Sequence, residues 1–531
     1  MDGGMFRPVD ENLSLSATRR VEHPALKSGG ETVSYRSLNR LVDSIAAFLQ
    51  RNLGLMPGER VLLLLSNGLE FVTAYYAVMR AGGVVVPVNP RSVPREISHY
   101  LDDSEPHLAV ARLDSLAHVP LESLRKLRGG ILVDQSVAAG GPGDLPGQWA
   151  NWTHATQDGG TPAPVNRDGS AMALIAYTSG TTGVPKGCVH THGGIQSAIS
   201  SVRAAVGTAA TDVVLVTLPL YHVTGMQTSM NVPLDAGATL VLAEKWDAAA
   251  AAQLIETHRV TRWRSIATMI RDFVELPNIG AFDLSSLNSI GGGGAAVPLG
   301  LHARIREITS LDYQEGFGMT EAMGATHMNR ASAPRPGSIG RLVEGVDAFV
   351  ISTETDLPLP VGEEGELVVA GAQLFSGYLG REDETNRSHL QIDGRRYFRT
   401  GDIGHVDEDG YYFITDRRKR MINVSGLKVW PAEVEQVIMR HPDVVEACVV
   451  AAEDLRQGEM VRAIIVLKPA VSRDGMVEEL TGWCRENLSA YKIPRLIEFR
   501  DALPRSATGK TDWKALQQQV SAEAPVSRSI T

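Results

Sequence analysis

Cysteine is scarce in this chain of 531 residues, with only Cys188, Cys448 and Cys484. The three are far apart, odd in number and not spaced as metal ligands, so the sequence indicates neither a disulfide framework nor a cysteine metal site. We therefore expect a reducing compartment, the cytoplasm, as the environment of the protein.

Long apolar runs are also absent. The first residues, MDGGMFRPVDENLS, contain no apolar core, so we expect no signal peptide. The apolar stretches 61–65 and 83–88 are too short to span a bilayer, and we expect no transmembrane segment. Their length is that of buried β-strands.

An excess of positive charge is missing as well. The 51 Lys and Arg residues are outnumbered by 61 Asp and Glu residues, which gives a net charge of -10. Because phosphate backbones select clustered Lys and Arg, this balance does not indicate nucleic acid as a partner. It allows an anionic small-molecule ligand, since single loops of an acidic protein can be positive. The sequence leaves a homodimer open.

The order of apolar patterns predicts the fold class. An apolar run at Val61–Leu65 is followed by a helical stripe from Phe71 to Met79 and by a second run at Val84–Val88. This strand–helix–strand order predicts parallel crossover units and an α/β fold. After Gly365 the strand signals are closely spaced, as in antiparallel strands. We place a domain boundary in the basic segment 416–420, between domains of residues 1–415 and 421–531.

The most informative segment is YTSGTTGVPKG, at residues 177–187, which follows an apolar run at 171–176. Its glycines let several backbone N–H groups point at one place, and its hydroxyl groups add further donors. Lys186 adds a positive charge suited to a phosphate. The segment therefore predicts an anion-binding loop. It is not a Walker A loop, because the order G-x-x-x-x-G-K-[ST] is absent.

Further segments that carry chemical side chains follow along the chain. Taken alone, each histidine, acid or lysine in them is compatible with an ordinary core or solvated side chain. In order they are PLYHVTG at 219–225, GGGGAA at 291–296, QEGFGMTE at 314–321, YFRTGD at 397–402, DRRKR at 416–420, SGLKVWPAE at 425–433 and PRSATGK at 504–510.

In this order the segments resemble the adenylate-forming superfamily, which includes acyl- and aryl-coenzyme A synthetases, luciferases and the adenylation domains of nonribosomal peptide synthetases. The resemblance covers nearly the whole chain. It implies an α/β fold with a large N-terminal domain of two stacked αβ sheets plus a distorted β-barrel. It also implies a small, mobile α+β C-terminal domain.

The resemblance implies a nucleotide site. The loop from Thr178 to Lys186 would close over the ATP β- and γ-phosphates, and Asp402 would hold both ribose hydroxyl groups. Glu321 would be the Mg²⁺ ligand, because one carboxylate plus substrate phosphates is a usual Mg²⁺ site. The residues implied to bind the nucleotide are Thr178, Ser179, Gly180, Thr181, Thr182, Gly183, Lys186, Gly293, Gly294, Ala295, Glu315, Gly316, Phe317, Gly318, Met319, Thr320, Asp402, Ile414, Arg417, Lys428 and Lys510.

An acid pocket is implied beside it, with His222 next to the acyl carboxylate. The lining residues implied are His222, Val223, Gly225, Met226, Ile266, Ala267 and Ala295. These small and apolar side chains indicate an apolar acyl or aryl chain. No Asp or Glu lies between Leu218 and Asn231, which argues against an amino acid as substrate.

The resemblance assigns roles near the end of the chain too. Lys510 is implied as the catalytic lysine of adenylation, together with His222, Thr178 and Glu321. Lys419 is implied as the hinge about which the small domain turns. The turn would bring the loop Ser425, Gly426 and Leu427 into the site for thioester formation.

These features predict an AMP-forming acid–thiol ligase that uses ATP, Mg²⁺ and coenzyme A. A carboxylic acid would first become its acyl-adenylate with release of pyrophosphate, and then a thioester. The expected acid is a medium- or long-chain fatty acid, or an aryl or arylalkanoic acid. Two alternatives stay open: an adenylating enzyme that loads a carrier-protein phosphopantetheine, and a non-catalytic family member.

Overall fold

The computed structural model describes residues 7–117, 119–134, 145–157, 160–178, 184–294, 297–417, 420–424, 427–454, 458–469, 471–505 and 510–522. For Arg417 and Lys428 the description is limited to the backbone. Ser179, Gly180, Thr181, Thr182, Gly183, Ala295, Lys419, Ser425 and Gly426, which the sequence analysis assigned to the site, lie outside the described residues.

Helices and strands alternate through the first part of the described chain. The helices are α1 Glu11–Arg19, α2 Tyr35–Arg51, α3 Leu69–Arg80, α4 Pro94–Ser104, α5 Leu113–Leu116, α6 Leu121–Leu124, α7 Trp152–Gln157, α8 His192–Val206, α9 Val223–Met226, α10 Val232–Ala236, α11 Ala248–His258, α12 Ala267–Val274, α13 Leu299–Thr309, α14 Glu382–Arg387, α15 Pro431–Met439, α16 Met476–Asn487 and α17 Trp513–Ser521. None of the described helices combines the length and apolar character that a bilayer span requires.

The strands are β1 Pro24–Ser28, β2 Glu31–Ser34, β3 Arg60–Leu64, β4 Val84–Pro87, β5 Leu108–Ala111, β6 Gly129–Leu132, β7 Gln148–Asn151, β8 Met172–Thr178, β9 Lys186–Thr191, β10 Val213–Val216, β11 Thr239–Leu242, β12 Arg262–Ser265, β13 Ser289–Gly293, β14 Tyr313–Met319, β15 Gly324–Met328, β16 Arg341–Leu342, β17 Val346–Ile351, β18 Gly365–Gly371, β19 Gly377–Tyr378, β20 His389–Ile392, β21 Arg395–Val406, β22 Tyr412–Arg417, β23 Ile422–Val424, β24 Leu427–Val429, β25 Val444–Asp454, β26 Gly458–Leu467 and β27 Leu496–Phe499.

The chain divides into two units. Unit 1 comprises Met1–Ala348 and Val369–Phe398, and unit 2 comprises Phe349–Val368 and Arg399–Thr531. The hinge predicted at 416–420 stays a prediction, and its first two residues, Asp416 and Arg417, are the last residues of strand β22.

Unit 1 contains two large sheets. The eight-stranded sheet has the order β19-β9-β8-β4-β3-β5-β6-β7, and the nine-stranded sheet has the order β16-β15-β14-β13-β12-β10-β11-β1-β2. Strand β3 is parallel to both of its neighbours, β4 and β5. Its residues Val61–Leu64 are buried, as a strand covered on both faces requires.

Helices lie between the two sheets. One apolar core contains Leu63 and Val85 from the eight-stranded sheet, Val216 from the nine-stranded sheet, and side chains of α2, α3, α8 and α10. Separate cores cover the outer faces, with α11–α13 on the nine-stranded sheet and α4–α6 on the eight-stranded sheet. The expected α/β class with two stacked αβ sheets is therefore confirmed.

Antiparallel strands follow in the part of the chain where a distorted barrel was expected. In unit 1, β20 pairs with the first residues of β21. In unit 2, the later residues of β21 pair with β22. Unit 2 also has a sheet of order β24-β23-β26-β25 with β27 beside β26, packed against α15, α16 and α17. All three cysteines are buried as free thiols.

The parallel strands of the nine-stranded sheet place the predicted site. Strands β11, β10, β12, β13 and β14 are parallel, so their carboxyl ends share one edge. In open α/β sheets, ligands bind outside the carboxyl ends of the strands. His222 follows β10, Ile266 follows β12, Gly294 follows β13 and Thr320 follows β14.

Candidate active site

The predicted phosphate loop joins two paired strands. Strand β8 ends at Thr178 and strand β9 begins at Lys186, and these two residues are directly opposite each other in the antiparallel pair. The hairpin therefore brings both ends of the glycine–threonine loop to adjacent backbone positions at one end of the eight-stranded sheet.

Lys186 is buried at the base of this loop. Its Nζ forms an ion pair with Oε2 of Glu384, on α14. The same Nζ lies 5.2 Å from the centre of the Tyr378 ring, a distance at which an aromatic face attracts a cation. The ammonium group thus has a carboxylate and an aromatic face as immediate neighbours.

Tyr378 connects this lysine to the predicted metal ligand. Its hydroxyl donates a hydrogen bond of 2.8 Å to Oε1 of Glu321. Burial and the nearby Glu321 carboxylate raise the pKa of Tyr378 well above its usual range, so the hydroxyl stays a donor. Strand β19 holds the tyrosine opposite Cys188 of β9. The structure therefore brings Lys186 and Glu321 together through one side chain.

The backbone of the Thr320–Ala322 turn is held from both sides. The Phe375 N–H donates to the Glu321 carbonyl oxygen at 2.7 Å. His190 Nε2 lies 2.9 Å from the Thr320 carbonyl oxygen. Burial lowers the pKa of His190 to about 4, so its ring is neutral at physiological pH and donates through Nε2–H. These bonds fix Thr320 and Glu321 at the carboxyl end of β14.

Cys188 is the residue opposite Tyr378 in the pair of strands β9 and β19. The residue is fully buried, and burial raises the pKa of its thiol well above the usual range. A buried neutral thiol is a poor nucleophile.

Glu315 and Phe317 occupy different environments on β14. The Glu315 carboxylate is buried and accepts from His302 Nε2 at 2.8 Å and from the N–H groups of Val297 and Gly337, both at 3.3 Å. These bonds attach neighbouring loops to the strand. The Phe317 ring is half-buried and meets His327 edge to face, with ring centres 5.8 Å apart. Its stacking on adenine stays a prediction.

The predicted acid-pocket residues are divided between two apolar cores. His222 is half-buried immediately before α9, with its ring 4.8 Å from that of Tyr221. Val223 and Met226 belong to the core between the two sheets. Ile266 and Ala267 pack on the core of the outer face. A Cβ at Gly225 would lie 2.4 Å from the Pro219 carbonyl oxygen, so local backbone packing already requires this glycine.

The first three residues of the glycine run 291–296 belong to strand β13. Strand β13 continues through Gly293, because its backbone pairs with β12 on one side and β14 on the other. A Cβ at Gly291 would lie 2.4 Å from Nη1 of Arg264. Gly291 thus leaves room for the guanidinium group of Arg264.

In unit 2, the predicted ribose-binding residues are neighbours. Asp402, on β21, is buried and stands directly opposite Arg417 of β22 in the antiparallel pair. Its N–H donates to Thr400 Oγ1 at 3.0 Å, and Thr400 Oγ1 donates to the Leu367 carbonyl oxygen at 2.7 Å. Ile414 is half-buried on the same strand as Arg417.

Asp416 and Arg420 flank the predicted hinge residue. The buried Asp416 carboxylate accepts the Ala432 N–H at 2.6 Å, in the first turn of α15, where a negative charge is stabilising. Arg420 is paired with Glu435 and lies 3.9 Å from Asp416. Burial alone would lower the pKa of Arg420, but the two carboxylates raise it above its usual range. Leu427 and Lys510 are exposed.

Two residues of the site were not predicted. Tyr378 and Glu384 contact Lys186 or Glu321, but no motif of the sequence analysis includes them. Tyr378 in the short string GYLGREDET looks like an ordinary core aromatic residue, and Glu384 looks like a solvated acid. Among the described residues, no group of three acids, histidines or cysteines is arranged to hold a metal ion.

Comparison with known proteins identifies the family. The model of the AMP-binding enzyme family matches residues 13–379, and that of the AMP-binding enzyme C-terminal domain matches residues 433–510. The chain is 32% identical to a long-chain-fatty-acid–CoA ligase of Bacillus subtilis (strain 168), over 94% of this chain and 92% of that protein. It is 34% identical to a feruloyl-CoA synthase of Amycolatopsis sp, over 92% and 94%.

A solved structure of similar fold is a complex with anthranoyl-AMP. The crystal structure of the anthranilate CoA ligase AuaEII in complex with anthranoyl-AMP matches with a TM-score of 0.87 and 25% sequence identity. The match covers 97% of this chain and 98% of that protein.

Proposed function

The chain belongs to the AMP-binding enzyme family and is an AMP-forming acid–thiol ligase, and we propose that it joins a medium- or long-chain fatty acid, or an aryl or arylalkanoic acid, to coenzyme A. The acid and ATP form an acyl-adenylate and pyrophosphate, and the acyl group then passes to the coenzyme A thiol. ATP, Mg²⁺ and coenzyme A are the cofactors and co-substrates of such ligases.

The observation that carries the proposal is the linked group Lys186–Tyr378–Glu321. It places an ammonium group and a carboxylate at the ends of two sheets, beside a glycine–threonine loop. Attack of an acid on the ATP α-phosphate brings two anions together, so fixed positive charge lowers the barrier. Lys186 supplies such a charge, and Lys510 is proposed as a second source.

Glu321 fits the predicted Mg²⁺ ligand. It is a hard oxygen donor, and the Tyr378 hydroxyl holds one of its two carboxylate oxygens by a hydrogen bond, as an orienting partner of a metal ligand does. Mg²⁺, when bound, would neutralise phosphate charge. The chain's own contribution is to hold the carboxylate in a fixed direction.

The two halves of the reaction need different groups near the acyl carbonyl. We propose that Lys510 serves adenylation, and that the loop at 425–427 serves thioester formation after a rotation about Lys419. Asp402 and Arg417, which are opposite each other in their strand pair, are proposed to hold the ribose. A cytoplasmic location and a possible homodimer stay predictions.

The substrate class is supported by the pocket residues and by the relatives. Val223, Met226, Ile266 and Ala267 are small or apolar, which favours an apolar chain or ring. The names of the two sequence relatives given above refer to a long-chain fatty acid and to a feruloyl group, so both classes belong in the test.

A pyrophosphate-release assay tests the proposal. Purified protein would be given ATP, Mg²⁺ and single acids from both classes, with and without coenzyme A, and the thioester would be identified by mass. We expect acid-dependent pyrophosphate release and a coenzyme A thioester. The Glu321→Gln variant should lose release, whereas Glu363→Gln, at an exposed site, should not.

Other outcomes would favour the alternatives. Pyrophosphate release with acyl transfer to a phosphopantetheine carrier protein and none to coenzyme A would indicate a carrier-loading enzyme. No release with any acid of the panel would indicate a non-catalytic member and would overturn the proposal.

A further inference from the structure

Arg264 is a buried cation that has no carboxylate partner among the described residues. It lies on β12 and only 4% of its surface is exposed. Its Nη2 donates to Ser289 Oγ at 3.1 Å and to Gln314 Oε1 at 3.3 Å. Both acceptors are neutral. In the described part of the chain, Arg264 has no ion-pair partner, and its Nη1 has no hydrogen-bond acceptor.

A glycine on the neighbouring strand leaves room for this guanidinium group. Gly291 is the residue beside Arg264 on the neighbouring strand, and Gln314 is the next residue across. A Cβ at Gly291 would meet Nη1 at 2.4 Å, so any side chain there would displace the guanidinium. Nη1 of Arg264 therefore lies over strand β13, whose last residue, Gly293, we assigned to the nucleotide site.

Arg264 faces the helical segment that follows His222. On β10, Val216 stands beside Arg264, and Val214 and Val216 belong to the same core as Met226 and Met230. Adjacent residues of paired strands point to the same face of a sheet. Strands β10 and β12 both contact the π-helical turn Gln227–Asn231, and such turns are frequent at functional sites.

A second unpartnered polar group lies in this turn. The Ser229 side chain is fully buried, and its Oγ has no hydrogen-bond partner among the described residues. Buried hydroxyl groups are normally paired with protein, water or ligand. The region thus offers two buried hydrogen-bonding groups next to apolar side chains, as in a pocket that accepts an apolar ligand with one polar end.

A buried guanidinium is costly without an acceptor. Burial lowers the pKa of Arg264 to about 10, which leaves the group protonated at neutral pH. A charge in this position is stabilised by a ligand oxygen that takes the N–H bonds of Nη1, most of all by an anionic one. The nearby Arg262 does not compensate it, because Arg262 is itself a cation and is paired with Asp212.

We infer that Arg264 selects the acid: it favours substrates that carry an oxygen acceptor, a second carboxylate or a phenolic oxygen, at the end remote from the carboxylate that is activated. This inference rests on the proposed ligase function. It makes Arg264 a specificity residue that contacts the far end of the acyl group and takes no part in adenylation itself.

The inference is tested with matched pairs of acids, on the wild type and on Arg264→Met. The methionine keeps roughly the side-chain volume but removes the guanidinium N–H donors. The pairs are an unsubstituted alkanoic acid with the dicarboxylic acid of equal chain length, and phenylpropenoic acid with its 4-hydroxy derivative. We expect the wild type to favour at least one acceptor acid by roughly tenfold or more in kcat/KM for pyrophosphate release, since a site built for a polar group rejects its absence.

Arg264→Met should lower that preference by roughly tenfold or more, mainly through KM for the acceptor acid, while the unsubstituted acid keeps its rate within a few fold. If the variant no longer prefers the dicarboxylic acid, the acceptor is a carboxylate. If it no longer prefers the 4-hydroxy derivative, the acceptor is a phenolic oxygen. The preference is a ratio within one preparation, so a lower folded fraction does not alter it. Arg264→Lys, which keeps the charge, covers the case in which the methionine variant does not fold, and should retain an intermediate preference.

Arg262→Met is the matched control, because Arg262 is on the same strand but is satisfied by Asp212 and the Val206 carbonyl. It should leave the preference unchanged. An equal preference in the wild type and in the Arg264 variants, or a wild type that prefers both unsubstituted acids, would overturn the inference. Absence of pyrophosphate release with every acid would instead overturn the proposed function.

Discussion

The hydroxyl of Tyr378 donates a 2.8 Å hydrogen bond to Oε1 of Glu321, although 57 positions of sequence separate the two residues. Glu321 follows β14 of the nine-stranded sheet, and Tyr378 ends β19 of the eight-stranded sheet. The bond therefore connects the two sheets at the proposed phosphate site, and the ring of the same tyrosine lies beside Lys186.

Tyr378→Phe should raise the Mg²⁺ concentration required for half-maximal pyrophosphate release and lower the rate roughly tenfold. The ring remains beside Lys186, but the carboxylate loses its orienting donor, and loss of such a partner costs about 10- to 100-fold in metal affinity or activity. A Mg²⁺ titration of the initial rate measures both effects.

Tyr397→Phe is its control, because Tyr397 also donates to a carboxylate, Asp347 Oδ2 at 2.6 Å, and Asp347 is not a proposed metal ligand. It should leave the Mg²⁺ requirement unchanged. An identical Mg²⁺ titration curve for Tyr378→Phe and the wild type would remove Tyr378 from the positioning role.

Lys510→Ala should slow adenylation by about 100-fold or more, since removal of one donor to transition-state charge typically costs 10²–10³ in rate. Thioester formation from a synthetic acyl-adenylate should change only a few fold, because that step does not require the lysine. Both half-reactions are measured separately, by pyrophosphate release and by thioester mass. Lys468→Ala, another exposed lysine of unit 2, is the control. Equal losses in the two steps would refute the assignment.

Lys419→Pro should slow thioester formation more than adenylation. Proline fixes φ near -65° and so restricts the rotation that a hinge residue must allow. The measured quantity is the rate of thioester formation divided by the rate of adenylation. We expect this ratio to fall by roughly tenfold. Lys419→Ala removes the same side chain without restricting φ and should keep the wild-type ratio. A ratio that does not differ between the two variants would place the hinge elsewhere.

We expect His192 to lower the free energy of unfolding of the protein at acid pH. Its Nδ1 accepts the Val9 N–H at 3.1 Å, and burial lowers the pKa of His192 from 6.5 to about 4. The unfolded chain therefore takes up a proton first, and stability is lost as the pH falls from about 6.5 to about 4. This one group contributes at most about 3 kcal/mol to that loss.

Urea unfolding at pH 7 and pH 4.5 measures the effect. His192→Asn keeps an acceptor for Val9 but does not titrate, so its loss of stability between the two pH values should be smaller than that of the wild type by about 2 kcal/mol. His154→Asn, at an exposed site, is the control and should lose as much stability between the two pH values as the wild type does. If His192→Asn loses as much stability between the two pH values as the wild type, His192 is not the titrating group.

Buried parallel strands were the best predicted part of the fold. The runs Val61–Leu65 and Val84–Val88 correspond to β3 and β4 within one residue at either end. A strand buried on both faces must be apolar at every position, so its pattern is visible without knowledge of its neighbours. Helix α15 has a local signal as well, because Pro431 occupies its first position, where proline is favoured.

The strand conformation of the glycines in β13 and the contacts of Tyr378 could not be predicted from local sequence patterns. Glycine has a low intrinsic preference for strands, so residues 291–293 carry no local strand signal, and the hydrogen bonds from β12 and β14 decide their conformation. Tyr378 acquires its role only from Glu321, which follows β14, and from Lys186, which is on β9. Contacts of such sequence separation leave no local periodicity to detect.

The burial of Cys188, Cys448 and Cys484 makes the wild-type chain a suitable background for fluorescent labelling. Maleimide dyes require an accessible thiolate, which these residues do not present in the folded protein. Met56→Cys in unit 1 and Val477→Cys in unit 2 would introduce thiols at positions that are 60% and 40% exposed. Energy transfer between two dyes placed there would follow the proposed rotation during turnover, with no native cysteine to remove beforehand.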